Sequence, residues 1–219
     1  MAEFPAAPIP AAEFFERFLP RAFAEAELPE SLRGIDACFG VCLEGKGGGE
    51  WLVQLRGGKL RVEPGTREGA AVSVVQSVAD WRGALWEGRG GEVGRQAAAL
   101  FRPGAAAASR AGELVAPAVA ALAQAEGLSG LVRVCVEDGD AGPWSLGLQL
   151  GPGAVPPEPT TTVSLRADDV DAMLRGELGP LEAFMGGRIQ VQGDVALLMQ
   201  LQAIQMQAAL SRPPSSDRG

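Results

Sequence analysis

Between Thr160 and Ile204 the spacing of apolar and polar residues changes period several times within about 45 residues, and each change carries its own start or stop signal. Thr161, Val163 and Leu165 alternate with Thr162 and Ser164, which predicts a half-buried strand. Asp168 or Asp169 is placed to cap a following helix that holds Val170, Met173 and Leu174, and Gly176 ends it. Pro180 suits the first position of a short helix running to Met185, which Gly186 and Gly187 close. Ile189 and Val191 alternate with Arg188, Gln190 and Gln192 in a second strand. Gly193 and Asp194 then turn the chain into a long last helix.

Upstream, an extended arm over 1–10 precedes a helical pattern from Glu13 to Leu28 built on Phe14, Phe15, Phe18, Leu19, Ala22 and Phe23, which Pro20 is expected to kink or to split into two short helices. Four strand patterns follow, centred on Val41, Val53, the pair Leu60/Val62 and the pair Val72/Val74, with glycine-rich turns between the first three. Ser77 and Asp80 form a capping box for a helix holding Val78, Trp81 and Leu85.

An internal match reorganises this series. VCLEGKGGGEWLVQL at 41–55 aligns without a gap to VCVEDGDAGPWSLGL at 134–148, so Cys42 and Trp51 correspond to Cys135 and Trp144 at an offset of 93. Asp80 and Leu85 correspond to Asp169 and Leu174 at 89. The chain therefore reads as two diverged copies, 11–105 and 106–211, followed by a flexible tail at 212–219, with the join near 102–112. The first copy lacks a strand equivalent to 187–194. The second has GPGAVPPEPTT in place of a third strand, where prolines cannot donate to a ladder.

The segment AFMGGRIQVQGDVALLMQL at 183–201 resembles the sterol carrier protein type 2 domain family in its Ala-Phe, Gly-bearing turn, basic-apolar strand, Gly-Asp and apolar helix. The resemblance implies an α+β fold of two sterol-carrier-like units, each a mainly antiparallel sheet covered by helices and enclosing an apolar tunnel for acyl chains, sterols and similar lipids. It carries the family's apolar lining onto Met173, Leu174, Phe184, Met185, Met199 and Leu201, and Leu197 shares a stripe with Leu201. Trp144, at the start of its strand, completes the ligand-binding candidates. Each of these side chains can equally be core.

Composition narrows the partners. The formal net charge is −8, and the residues after 110 contribute most of it, with 13 acidic against 6 basic side chains. Such a chain repels nucleic acid and anionic membrane surfaces, and it favours a neutral or weakly polar lipid over a phosphate-rich headgroup. No secretory leader or bilayer-spanning run is legible, and three cysteines without framework spacing suit reduced thiols in a cytoplasm. With no histidine and no tyrosine, the usual general base and a common proton donor are missing, so no catalytic residue, metal or cofactor is expected. Asp168, Asp169 and Asp171 fit dipole stabilisation at a helix start better than a cation site.

The last helix carries two apolar stripes. One holds Leu197, Leu201, Ile204 and Ala208; the other holds Val195, Met199, Met206 and Leu210. One must lie on the sheet, leaving the other for a lipid chain, the other copy, or a homodimer or protein partner. The expected function is non-enzymatic carriage or sequestration of a lipid or other apolar small molecule. Its rival is a structural or assembly module whose tunnel is filled by its own side chains.

Overall fold

The computed structural model describes residues 3–25, 36–99, 127–137 and 142–210. The expected join near 102–112 and the tail lie outside them. An eight-stranded sheet organises the molecule: β1 (Ala37–Glu44), β2 (Gly49–Arg56), β3 (Lys59–Pro64), β4 (Val72–Ser77), β5 (Gly130–Glu137), β6 (Pro143–Leu150), β7 (Thr161–Arg166) and β8 (Ile189–Gly193). Their order is β3-β2-β1-β4-β6-β5-β7-β8. Two separate sheets were the expectation; one continuous sheet is found.

The reason lies at the middle of the sheet. β1 pairs antiparallel with β2 and parallel with β4, and β5 does the same with β6 and β7. Nothing in the described residues after β4 supplies a further strand to the first half, and the proline-bearing segment after β6 forms none in the second. β4 and β6 would each be left with an open row of amides and carbonyls, which is costly to leave unpaired. They pair antiparallel with each other instead, Val72 opposite Leu150 and Val75 opposite Gly147.

Side-chain alternation then sorts the sheet into two faces. On one, Val41, Leu43, Trp51 and Val53 pack against Phe14, Phe15 and Phe18 and against Trp81 and Leu85. The Trp51 ring stacks on Phe15 at 4.7 Å between centroids and donates its indole N–H to Glu16 Oε1. The helices that carry these aromatics are α1 (Ala11–Glu13) and α2 (Leu19–Glu25), joined by a π-helical turn at Phe14–Phe18, and α3 (Val78–Arg82), which continues into a second π-helical turn at Gly83–Glu87. The first turn absorbs the expected kink, because Leu19 donates to the Phe14 carbonyl five residues back, just before Pro20. α3 starts as predicted, with Ser77 Oγ accepting from the Asp80 amide. The opposite face is thinly covered: Cys42, Val75 and Leu131 form a small core under Val155.

The remaining helices are α4 (Gly91–Ala99), α5 (Ala167–Leu174), α6 (Pro180–Met185) and α7 (Val195–Leu210). Pro180 opens α6, and Gly176 and Gly187 take positive φ at the helix ends, as the pattern predicts. The cap of α5 does not follow the expectation. β7 runs through Arg166 directly into the helix, so extended Arg166 occupies the capping position without a side-chain bond, and Asp168 and Asp169 fall in the first turn. There they stabilise the helix dipole rather than its first amides.

Candidate functional site

Asp194 builds the start of α7. Its Oδ1 accepts from the Ala196 and Leu197 amides, at 2.8 and 3.3 Å. Its backbone is held on the sheet by two bonds: its amide donates to the Thr160 carbonyl at 3.0 Å, and its carbonyl accepts from Thr161 Oγ1 at 2.7 Å. Gly193, with φ of +94°, lets the chain turn there, since a Cβ would collide with the Thr160 carbonyl.

This anchoring decides which stripe of α7 meets the sheet. Leu197 is buried in a core with Val72, Val132 and Leu150, and Leu201, Leu198, Leu128 and Leu148 pack on it. Val72 belongs to β4 and Leu150 to β6, so α7 covers one end of the central pairing between the two halves. Ile204 is half-buried. The other stripe faces water: Val195 is 45% and Met199 67% exposed. The side chains of Met206, Ala208 and Leu210 lie outside the described residues.

The candidate side chains fall into three places. Trp144 and Met173 share a core with Ala84, Val136, Leu165 and Val170. Trp144 is 1% exposed, and its indole N–H donates to the Asp80 carbonyl at 2.8 Å. Gly90 makes room for the ring, since a Cβ there would lie 2.6 Å from Trp144 Cδ2. Leu197 and Leu201 belong to the core at the central pairing. Phe184, Met185 and Met199 project into solvent, together with Leu181 and Val195. Leu174 ends α5, and its side chain lies outside the described residues.

The charged groups nearby hold elements together. Asp169 Oδ1 accepts from Arg188 Nη1 at 3.1 Å, tying α5 to the start of β8, and Arg95 bridges Glu92 and Asp171, at 2.8 and 3.5 Å. Among the described residues no three carboxylate or thiol side chains converge as a metal site. Cys42 and Cys135 have thiol pKa values raised mainly by burial, which keeps them protonated and poor nucleophiles.

Sequence reasoning placed Val72 in a strand but did not single out Val72, Val132, Leu148 and Leu150 as the floor beneath α7. It also missed Arg67, which carries no local signal. Its side chain is 7% exposed and joins the halves on the other face, donating to Glu50 Oε1 and Gln149 Oε1 at 2.9 Å and to the Gly153 carbonyl at 3.2 Å.

Residues 111–206 match the SCP-2 sterol transfer family. Sterol carrier protein 2 of Rattus norvegicus is 29% identical over 87 residues, 36% of this chain and 16% of that protein. Stomatin-like protein 1 of Mus musculus is 44% identical over 46 residues, 21% of this chain and 12% of the relative. The chain thus spans a small fraction of the curated relatives it matches. The solved sterol carrier protein domain 2 of Helicoverpa armigera is 26% identical, covers 41% of this chain and 76% of its own, and superposes with a TM-score of 0.30. Among the described residues no helix is long and apolar enough to cross a membrane.

Proposed function

We propose that the chain binds a lipid or other apolar small molecule without chemistry, as a carrier or sequestering module, using the outer surface of α6 and α7. One observation carries this reading. Every large apolar side chain exposed among the described residues, Leu181, Phe184, Met185, Val195 and Met199, lies within 181–199 and thus inside the family match. Surface of this kind, concentrated in one stretch, marks a binding region. The methionines suit an adaptable wall, being flexible and polarizable. Burial of each ligand methylene there contributes about 0.8 kcal/mol before ordering costs. The proposed lining also takes in Leu174 and the packed side chains Trp144, Met173, Leu197 and Leu201, and no residue is assigned a catalytic role.

We also read the two halves as diverged copies. The parallel pairs support it: Gly40 lies opposite Ser73, 33 residues on, and Arg133 opposite Thr162, 29 residues on. That difference of four is the difference between the sequence offsets of 93 and 89. The hairpins have diverged more, since Trp51 lies opposite Val41 but Trp144 opposite Val136.

The test is native mass spectrometry of freshly purified protein with organic extraction. A co-purifying lipid near one per chain is the expected result. An empty chain that takes up no fluorescent fatty acid and runs as a dimer supports the assembly module instead. That second reading is favoured by Trp144 and Leu197, which the protein's own side chains already bury.

A further inference from the structure

The sheet ends in two unlike edges. β3 forms one, and its exposed Lys59 and Arg61, the latter paired with Glu63 at 3.2 Å, together with Pro64 at its end, protect that edge against a further strand. β8 forms the other edge and has none of these devices along its length. Between Gly186 and Val195 the only charged residues are Arg188 and Asp194, one on either side of the strand, with Gln190 and Gln192 between them. Among the described residues no strand pairs with the outer side of β8.

The pairing with β7 fixes which backbone groups are left over. The Asp194 amide donates to the Thr160 carbonyl, and hydrogen-bonded pairs alternate along an antiparallel ladder, so the Gln192 and Gln190 backbones bond to β7. The amides and carbonyls of Ile189, Val191 and Gly193 therefore point away from the sheet. A row of this kind is a template for another strand. The exposed side chains of Gln190 and Gln192 stand on the opposite face from the half-buried Ile189 and Val191.

We propose that β8 is the interface of a symmetric dimer, in which β8 of a second copy adds antiparallel about a two-fold axis at Val191. Centring there pairs the outward groups in full: Val191 meets Val191 of the second copy and Ile189 meets its Gly193, for about six backbone hydrogen bonds. On the exposed face Arg188 falls opposite Asp194 of the second copy, and Gln190 opposite its Gln192, so opposite charges and matching amides meet and no like charges do. Arg188 is 56% exposed, and it keeps further N–H donors beyond the Nη1 bond to Asp169. A slip of two residues in either direction breaks both ion pairs, which fixes the register. The strand is its own complement across this axis, and that favours a second copy over an unrelated peptide. The dimer does not depend on the lipid reading.

The test is sedimentation equilibrium of the full chain from about 1 to about 500 μM. A five-residue strand pair is a small interface, so the expected result is a reversible monomer–dimer equilibrium with a dissociation constant on the order of 10 μM. Gln190→Lys with Gln192→Lys sets like charges opposite each other and is expected to weaken the dimer at least about tenfold. Gln190→Glu with Gln192→Lys sets opposite charges in the same places and is expected to associate at least as tightly as the natural chain. A chain that stays monomeric throughout, a doubly basic variant that dimerises as tightly as the natural chain, or a mixed-charge variant weakened as much as the doubly basic one overturns the proposal. Fluorescent fatty-acid uptake by the doubly basic variant reads the lipid site separately, so the failure of either reading is distinguishable from the failure of the other.

Discussion

The indole N–H of Trp144 donates to the backbone carbonyl of Asp80 at 2.8 Å, across the line where the two halves of the sheet meet. Asp80 adds two more bonds: its carboxylate accepts from Ser77 Oγ at 2.8 Å and from Ser145 Oγ at 3.1 Å. One residue thus holds the start of α3 and joins it to β6. Trp144→Phe keeps most of the buried area and removes the indole bond to the Asp80 carbonyl, which retains the Gly83 amide as a donor, for an expected loss of about 1 kcal/mol. Trp144→Ala removes the ring as well and is expected to cost about 3–5 kcal/mol. Urea unfolding checks both. A core role predicts that Trp144→Phe lowers the midpoint while leaving fatty-acid affinity unchanged.

At the other end of the same pairing, Arg67 does comparable work with a different balance. Its ion pair with half-exposed Glu50 contributes little by itself, because water screens it. The larger loss in Arg67→Met is the Gln149 oxygen, which sits in a 3%-exposed side chain and has no replacement donor. The expected destabilisation is about 2–3 kcal/mol. Glu50→Gln, which retains an acceptor for Arg67 Nε, is expected to cost under about 1 kcal/mol. Equilibrium unfolding of the two variants separates the contributions.

These two ties explain what the sequence could not disclose. Alternation around Val53, Val74 and Val163 announces strands, because a strand's period is local. Arg67 and Gln149 are 82 residues apart, and nothing in either neighbourhood names the other. The missing strands of the two halves were legible as absences, one in the helical run after Trp86 and one in the prolines after Gly151. That the two vacancies face each other is a property of the assembled sheet. At Asp168 the local rule pointed to a cap, but a strand that enters its helix without a loop leaves no place for one. For the candidate site, the period showed that α7 has two apolar stripes. Only the anchoring of Asp194 on Thr160 and Thr161 decides that Leu197 goes inward and Met199 outward.

The thiols give a pH dependence with a definite sign. Burial raises the pKa of Cys42 and Cys135 in the folded protein, against the opposing pull of Arg67 and Arg133. The unfolded chain therefore releases these protons at lower pH than the folded one. Their contribution to stability is complete below the unfolded thiol pKa and is lost as pH rises through the folded values. Unfolding midpoints are expected to fall on the alkaline side of the ordinary thiol range, and Cys42→Ala with Cys135→Ala is expected to flatten that decline. Thiol titration of the native protein at neutral pH should accordingly label Cys42 and Cys135 slowly and completely only after denaturant is added.

Leu181 and Met185 are 71% and 79% exposed, more than Phe184 at 50%, so truncating them removes few internal contacts. Leu181→Gln, Met185→Gln and Met199→Gln are each expected to change stability by no more than about 0.5 kcal/mol. If a lipid is bound against α6 and α7, each lost apolar side chain removes on the order of 1 kcal/mol of ligand burial. The triple variant should then bind fluorescent fatty acid at least about tenfold more weakly while unfolding at the same urea concentration. Native mass spectrometry of that variant gives the decisive comparison. Loss of lipid from a chain whose oligomeric state is unchanged supports the carrier. A shift from dimer to monomer with lipid uptake intact assigns the same surface to subunit association.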